Sequence, residues 1–349
     1  MRDRYPTLGE PPRKSHTGRY VLLLLLAGAA ASGIWWWKHR AARARSAQTT
    51  ATPPLSAPQT PVVAAPSSQA PAPSVSTPAE ILKKNTVRFI SVTIDGPLER
   101  SLVTATGRDL GQALAQVVTR TLVWWVSIPG ELRKGDKLEV LFEERSSDEP
   151  IVHAVRLTSA HAAKSFRAYR FKPGGATFAR FYQPEGSEVE LRLKDAPLDD
   201  YEQVTSHVKD GRRHKGIDFK TPVGSKVKAT FDGTISRRNW HFRANGNCLE
   251  ITEAGGAYRK ALLLHLSELP KTAQVGTRVA KGEVIAASGN SGHSFAPHLH
   301  YQLMNGERVL DPFTTEATYR RSIRAEDKAA LDGEIARLDR LMAVPLAGN

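Results

Sequence analysis

Seven of the eleven histidines fall between residues 207 and 300, and their spacing, more than their number, points to chemistry. In "APHLHYQL" (296–303), His298 and His300 stand two apart. On an extended strand alternate side chains leave the same face, so both imidazoles would enter one space about 6 to 7 Å apart. That arrangement suits a metal site, and it equally suits two core histidines with hydrogen-bond partners. "RRHKGIDF" (212–219) adds His214 and Asp218, four apart and so on one face of a strand, with Gly216 between them leaving room. An imidazole and a carboxylate flanking a gap make a two-ligand arm for a borderline cation. One imidazole of His298 and His300 would complete a two-histidine, one-carboxylate set, and the other would stay beside the attacking water to position it or take its proton. His265, in the apolar run "ALLLHLSEL" (261–269), is available on the opposite side of that water. His207, His241 and His293 are expected to be surface or loop residues.

Composition narrows the field. Cys248 is the single cysteine, which excludes a multi-cysteine zinc finger and an internal disulfide and leaves a metal to His, Asp and Glu. Cys248 itself reads as a small buried residue. The net charge is +14, and +7 of it comes from the first 45 residues, where nine Lys/Arg face only Asp3 and Glu10. The remaining body is mildly basic, compatible with anionic lipid or an acidic wall polymer. No recognition helix, RNA-binding signature or aromatic stacking platform is present, which argues against nucleic acid.

The elements that must position the histidines follow in order. After a basic segment, residues 1–19, Tyr20–Trp37 offers 18 uncharged residues, roughly 27 Å as a helix against a bilayer core of about 30 Å. Trp35, Trp36 and Trp37 beside Lys38 and Arg40 read as an interfacial belt and favour a retained anchor over a cleaved leader, for which "AGAAAS" supplies small residues. Residues 38–79 read as a linker, since eight of the 22 prolines and no charge lie between Ser46 and Ala79. Residues 80–198 are expected to form a small α+β domain, with a helix around "GRDLGQALAQVVTRTL" and strands in "DKLEVLFEER", "IVHAVRLTSA" and "SFRAYRF". His153 and His161 are expected in its sheet, and Trp124 and Trp125 in its core. Residues 199–318 are turn-punctuated and β-rich. Within them "VGSKVKATFDGTI" and "VGTRVAKGEVIAASG" are related and expected to pack as one sheet system. In the tail, residues 319–349, Leu331, Ile335, Leu338 and Met342 recur at helical spacing, and the helix is expected to pack on its own domain.

The segments "HKGIDFKTPVGSKVKATFDGTI", "LLLHLSEL", "VGTRVAKGEVIAASGNSG" and "APHLHYQL" with "VLDP", in that order across roughly residues 200 to 312, resemble the lysostaphin-type zinc metallopeptidases, cell-wall endopeptidases that hydrolyse peptide bonds in peptidoglycan. The resemblance implies a mainly β catalytic domain of antiparallel sheet with a duplicated hybrid motif. It implies one Zn2+ held by His214, Asp218 and His300, with His265 and His298 as non-ligand catalytic histidines and Asn247 along the substrate groove. Family members that lost ligands serve as activators of other wall hydrolases, whereas all five residues are present here. Between Trp240 and Ala261 the chain departs from the family's usual tyrosine-containing spacing. "KGDKLEVLFEER", "FRAYRF" and "FYQPEGSEVELRLKDAPL" are similar to the accessory domain that precedes the catalytic domain in membrane-tethered enzymes of Gram-negative envelopes and can cover its groove. The implied protein cleaves peptidoglycan peptide stems from a single-pass inner-membrane anchor, with its C-terminal domains in the periplasm. A non-catalytic wall-binding regulator and a zinc peptidase acting on proteins are the alternatives.

Overall fold

The computed structural model describes residues 87–128, 130–145, 149–159, 163–210, 213–255 and 258–343. The expected anchor, the linker and His161 lie outside the described residues, among which no helix is long and apolar enough to cross a membrane.

The first part is a five-stranded antiparallel meander. β1 (Val87–Thr93) is followed by helices α1 (Leu98–Thr106) and α2 (Arg108–Leu122), then by β2 (Lys137–Glu143), β3 (Ile151–Ser159), β4 (Lys164–Phe171) and β5 (Arg180–Tyr182), paired in chain order. Period-two alternation sends Leu138, Val140 and Phe142 of β2 to one face, where they meet Leu102, Leu114, Val118 and Leu122 of the helices. Gly111 lets α1 and α2 cross closely, since a Cβ there would lie 2.4 Å from Val103 Cα. Leu141 points to the opposite face with Ala154 and Tyr169.

The second part is mainly β. β6 (Arg192–Leu193), β7 (Gln203–Ser206), β8 (Ile217–Lys220), β9 (Lys226–Lys228) and β10 (Gly233–Arg238) precede the short helix α3 (Phe242–Asn245). Then come β11 (Asn247–Glu253), β12 (Arg259–Leu266), β13 (Arg278–Val279), β14 (Val284–Ala287), β15 (His298–Asn305), β16 (Arg308–Leu310), helix α4 (Pro312–Thr315) and β17 (Thr318–Tyr319). The large sheet runs β13-β10-β11-β12-β15-β8-β7, with β16 also on β15, so β15 lies in its middle. Ile217, Phe219, Leu263, Leu299 and Tyr301, all buried, form the core under that centre.

The two related segments do not join one sheet side by side. Each pairs its first strand with the other's second: β9 with β14 as a separate two-stranded sheet, β13 with β10 at the edge of the large one. The bonds repeat across a local pseudo-twofold. Gly224 N–H donates to the Ser288 carbonyl and Ser288 N–H to that of Ser225, while Gly276 N–H donates to Ile235 and Ile235 N–H to Thr277. The equivalent Gly224 and Gly276 adopt φ of 90° and 91°, a conformation that favours glycine.

The tail forms helix α5 (Ala325–Met342), but it packs on the first part of the chain and not on the β-rich part that precedes it. Its Leu338, Leu341 and Met342 cover Leu141, Ala154 and Tyr169, an apolar sheet face otherwise left to water, and each leucine buried there contributes roughly 1.5–3 kcal/mol. Asp339 fixes the register by accepting from Tyr169 Oη at 2.8 Å and from Arg156 at 3.2 Å.

Candidate metal centre

β15 places its histidines between two neighbours. His300 lies opposite Asp218 of β8 and opposite Leu264 of β12, so one imidazole faces groups supplied by both flanking strands. His214 does not share a strand with Asp218 as its spacing suggested. It lies ahead of β8, in a turn entered through Arg213 at φ 58°, where Lys209 N–H donates to its carbonyl at 2.8 Å. The turn holds the ring as well: His214 Nδ1 lies 3.1 Å from the His207 carbonyl. A carbonyl can only accept, so Nδ1 carries the proton and Nε2 presents a lone pair.

Gly216 makes room for a ligand ring and not for the ion. A Cβ there would lie 2.6 Å from His300 Nε2 and 2.6 Å from the Tyr301 carbonyl oxygen.

Three ligand atoms converge as a result. His300 Nδ1 is 2.8 Å from Asp218 Oδ1, His214 Nε2 is 3.2 Å from the same oxygen, and the two nitrogens are 3.1 Å apart. Tetrahedral zinc with bonds of about 2.0–2.1 Å spans ligand edges of about 3.3 Å, so the triangle fits that ion within a few tenths of an ångström. Two imidazoles and one carboxylate are a zinc-type donor set, and His214, Asp218 and His300 form the one such group among the described residues. Electrostatics agree. Burial would raise the Asp218 carboxyl, but the His214 and His300 rings hold it well below the usual carboxylate range. Burial would lower the His214 imidazole, and Asp218 outweighs it and raises the ring.

Two further imidazoles face this triangle. His298 Nε2 is 3.7 Å from Asp218 Oδ1, while its Nδ1 is 2.8 Å from the Ala296 carbonyl and 3.2 Å from Ser294 Oγ. His265 lies 4.8 Å, centroid to centroid, from His298, with the two rings tilted by 48°. It departs from a regular strand, with φ at 61°, next to the irregularity where β11 and β12 shift register between Asn247 and Leu249. That turn of the backbone swings the ring toward the site, and its Nδ1 is 2.9 Å from the Ser291 carbonyl. Both rings therefore carry a proton on Nδ1 and present Nε2 to one space. Burial pushes His265 down to about 4, so it is neutral near pH 7.

Asn247 opens β11 and its side chain is engaged: Nδ2 donates to the Ser267 carbonyl at 2.7 Å and its backbone N–H to Ser291 Oγ at 2.9 Å. Ser291 Oγ donates in turn to the Leu266 carbonyl at 2.7 Å, which fixes the carbonyl that orients His265. His241 and His293 are exposed. His207, expected to be an ordinary surface or loop residue, has an interior role, its ring packed 4.8 Å from Trp124 and its carbonyl orienting His214. Neither His207 nor Ser291 could be found from residue type, because each acts through its backbone.

Residues 212–312 match Peptidase family M23. The chain is 27% identical over 252 residues to the peptidoglycan DD-endopeptidase ShyB of Vibrio cholerae, covering 67% of this chain and 56% of that one. Over 94 residues it is 40% identical to the glycyl-glycine endopeptidase ALE-1 of Staphylococcus capitis, covering 27% of this chain and 25% of that one. A zinc-containing peptidase structure from Vibrio cholerae is 25% identical, with a TM-score of 0.30, covering 65% of this chain and 70% of that one. The chain spans about half the length of the curated relatives it matches. The matched stretch is the one in which His214, Asp218 and His300 converge beside two further imidazoles, and residues 212–312 are accordingly a peptidase family M23 domain of the lysostaphin type.

Proposed function

We propose that this chain is a zinc-dependent endopeptidase that hydrolyses peptide cross-links of peptidoglycan. One observation carries the reading: three ligand atoms within 3.2 Å of one another are faced by two imidazoles whose protonated Nδ1 atoms are held by carbonyls. His214 Nε2, Asp218 Oδ1 and His300 Nδ1 would hold the ion. When bound, zinc supplies a Lewis acid that polarises a carbonyl and lowers the pKa of water to about 7. One of the two rings, His298 or His265, would take at Nε2 the one proton the attacking water gives up, and the ring so protonated would donate toward the oxygen that gains charge before passing that proton to the leaving amine. His265, neutral at pH 7, starts in the accepting state. The Ala296 and Ser291 carbonyls keep both rings in the tautomer this requires.

Peptidoglycan as substrate is supported by relatives named as peptidoglycan DD-endopeptidases. The likeness to ShyB extends over 252 residues, well outside the M23 match, which supports an accessory role for the α+β part. The apolar stretch Tyr20–Trp37 and the proline-rich segment after it support an inner-membrane anchor with the catalytic part in the periplasm. Zinc-loaded chain incubated with isolated peptidoglycan should release new amino termini. His298→Ala should lower release by about 10²–10⁴-fold while zinc affinity stays within about tenfold. Binding to peptidoglycan with no new termini would replace this reading with the non-catalytic regulator. A reporter fused after Asn349 should be active only in the periplasm, and cytoplasmic activity would overturn the proposed topology.

A further inference from the structure

The α+β part and the β-rich part each have a hydrophobic core, and among the described residues Trp124 is the one apolar side chain packed against both. It stands just past the end of α2. On the β-rich side it meets two rings edge-on, His207 at 4.8 Å and 69° and Phe313 at 5.0 Å and 86°, and those two lie 5.8 Å from each other. Edge-to-face contacts at such spacings are favourable and directional, so each ring limits where the other two can sit. Phe313 is itself held, because Asp311 caps α4 by accepting from its N–H at 3.0 Å. The Trp124 backbone is held too: Arg320 donates to the Glu188 carbonyl at 3.2 Å and reaches the Trp124 carbonyl at 3.5 Å.

His207 is the link from this contact to the metal centre. It is the first residue after β7, whose last residue, Ser206, lies opposite Asp218 of β8, so it begins the connection that carries His214 back toward Asp218. Two bonds close that connection: His214 Nδ1 donates to the His207 carbonyl at 3.1 Å, and Lys209 N–H donates to the His214 carbonyl at 2.8 Å. The His207 carbonyl cannot swing away from His214 without moving its own side chain, which Trp124 and Phe313 hold. A close-packed interior passes such displacements on.

We infer that Trp124 is a positioning residue for His214, acting through His207, and that the α+β part thereby sets how tightly the peptidase domain holds its metal. The inference rests on the zinc reading given above. A carbonyl on a loose loop gives an imidazole its tautomer but little rigidity. A carbonyl whose residue is gripped by rings from two other elements also fixes the direction of the imidazole, and metal ligands deprived of that support lose affinity. If Trp124 were only filler between two cores, its loss would lower stability and leave the zinc affinity of the folded protein unchanged.

Competing-chelator titration of the full chain with zinc separates these. Trp124→Leu, which keeps apolar volume and removes the flat ring, should weaken zinc binding about tenfold, the low end of what loss of an orienting group costs. Trp124→Phe, which restores a ring edge, should hold affinity within about threefold of the unaltered chain. Leu114→Ala, a cavity in the α+β core away from these rings, should lower stability to urea and leave zinc affinity unchanged. In the zinc-loaded protein the His214 Nδ1–H resonance, sheltered by the His207 carbonyl, should exchange with water about tenfold faster in Trp124→Leu. Should Trp124→Leu fail to fold, Phe313→Leu, which removes the other ring holding His207, is expected to weaken zinc binding in the same way. Equal zinc affinity in the unaltered chain and the folded ring-removing variant overturns the inference alone, as does an equal loss of affinity in Leu114→Ala. An unaltered chain that binds no zinc overturns the metal reading and this inference together.

Discussion

Two of the buried polar clusters among the described residues are built on opposite principles. At the metal centre, two imidazole nitrogens and a carboxylate oxygen lie within 3.2 Å of one another, a geometry that suits a dication. In the cleft beside β7 that Arg120, Arg170, Arg180 and Arg192 line with Glu188, Glu190 and Glu202, charges of both signs mostly neutralise one another, with Arg192 wedged between Glu188 and Tyr201. The first cluster presents a ligand set to an ion from outside. The second pairs its charges largely within itself, so they serve the fold.

Mutation should expose that contrast. Asp218→Ala removes the only carboxylate of the triangle. Zinc affinity should fall by at least about a hundredfold, above the 10–100-fold typical of losing a group that merely orients a ligand, and peptide release should vanish, while metal-free protein also loses the stability that the depressed Asp218 carboxyl contributes at neutral pH. A competing-chelator titration reads the affinity, and retention within tenfold would remove the metal from the comparison. Arg192→Met should do the reverse, leaving zinc binding intact and lowering stability by about 3 kcal/mol, because Glu188, 0% exposed, would lose its hydrogen-bonded guanidinium and keep only Arg180 Nε at 3.7 Å and Arg321 Nε at 4.0 Å. Urea unfolding measures this, and adding Glu188→Gln should recover part of the loss.

Gly216→Ala should give a smaller effect on both scales. Its Cβ would press on His300 and the Tyr301 carbonyl at 2.6 Å, costing about 1–3 kcal/mol and reducing zinc affinity by about 10–100-fold.

The smallest effect is on pH dependence. Burial holds His207 and His265 down to about 4 and lowers His153 as well. The unfolded chain therefore binds more protons between about pH 4 and 6.5, and the stability these residues contribute is complete above that window and lost as pH falls through it. Glu190, pushed up by burial to about 7, acts with the opposite sign: its contribution is present at low pH and declines as pH rises toward 7. For metal-free protein the lowered histidines should prevail over Glu190 and over His214, which Asp218 raises, with stability falling by up to about 1.4 kcal/mol per pH unit from 6.5 to 4.5. Glu190→Gln should steepen that fall, and a shallower slope in the variant would show that its carboxyl does not oppose them.

How much of this could be read beforehand differs between the clusters. The spacing of His298 and His300 puts both on one face of a strand, while the choice of His300 as the ligand with His214 and Asp218 comes from the family resemblance, and the shared strand expected for His214 and Asp218 is replaced by a segment ahead of β8. The tautomers could not be read, because the His207 and Ser291 carbonyls that set them belong to the backbone, and every residue has one. Gly216 was seen to leave room, but the occupant, a ring from a strand 82 residues after Asp218, depends on sheet order. Amphipathic spacing in α5 announced a buried face and could not say which surface would cover it. The reciprocal pairing of the two related β segments was hidden for the same reason: similarity shows that two segments share a shape, not that they exchange strands. The cleft left no trace at all. Its arginines and glutamates are scattered from residue 120 to 202 among dozens of ordinary surface charges.

The docking of α5 changes how the chain can be divided. The α+β sheet is sandwiched between helices that precede most of its strands and a helix from the far end of the polypeptide, so cutting once between the two parts does not separate them cleanly. A fragment starting near residue 200 and running to the end would carry an uncovered leucine stripe and tend to self-associate. A catalytic fragment meant to behave as a monomer should therefore stop before Ala325 as well as begin after the first sheet.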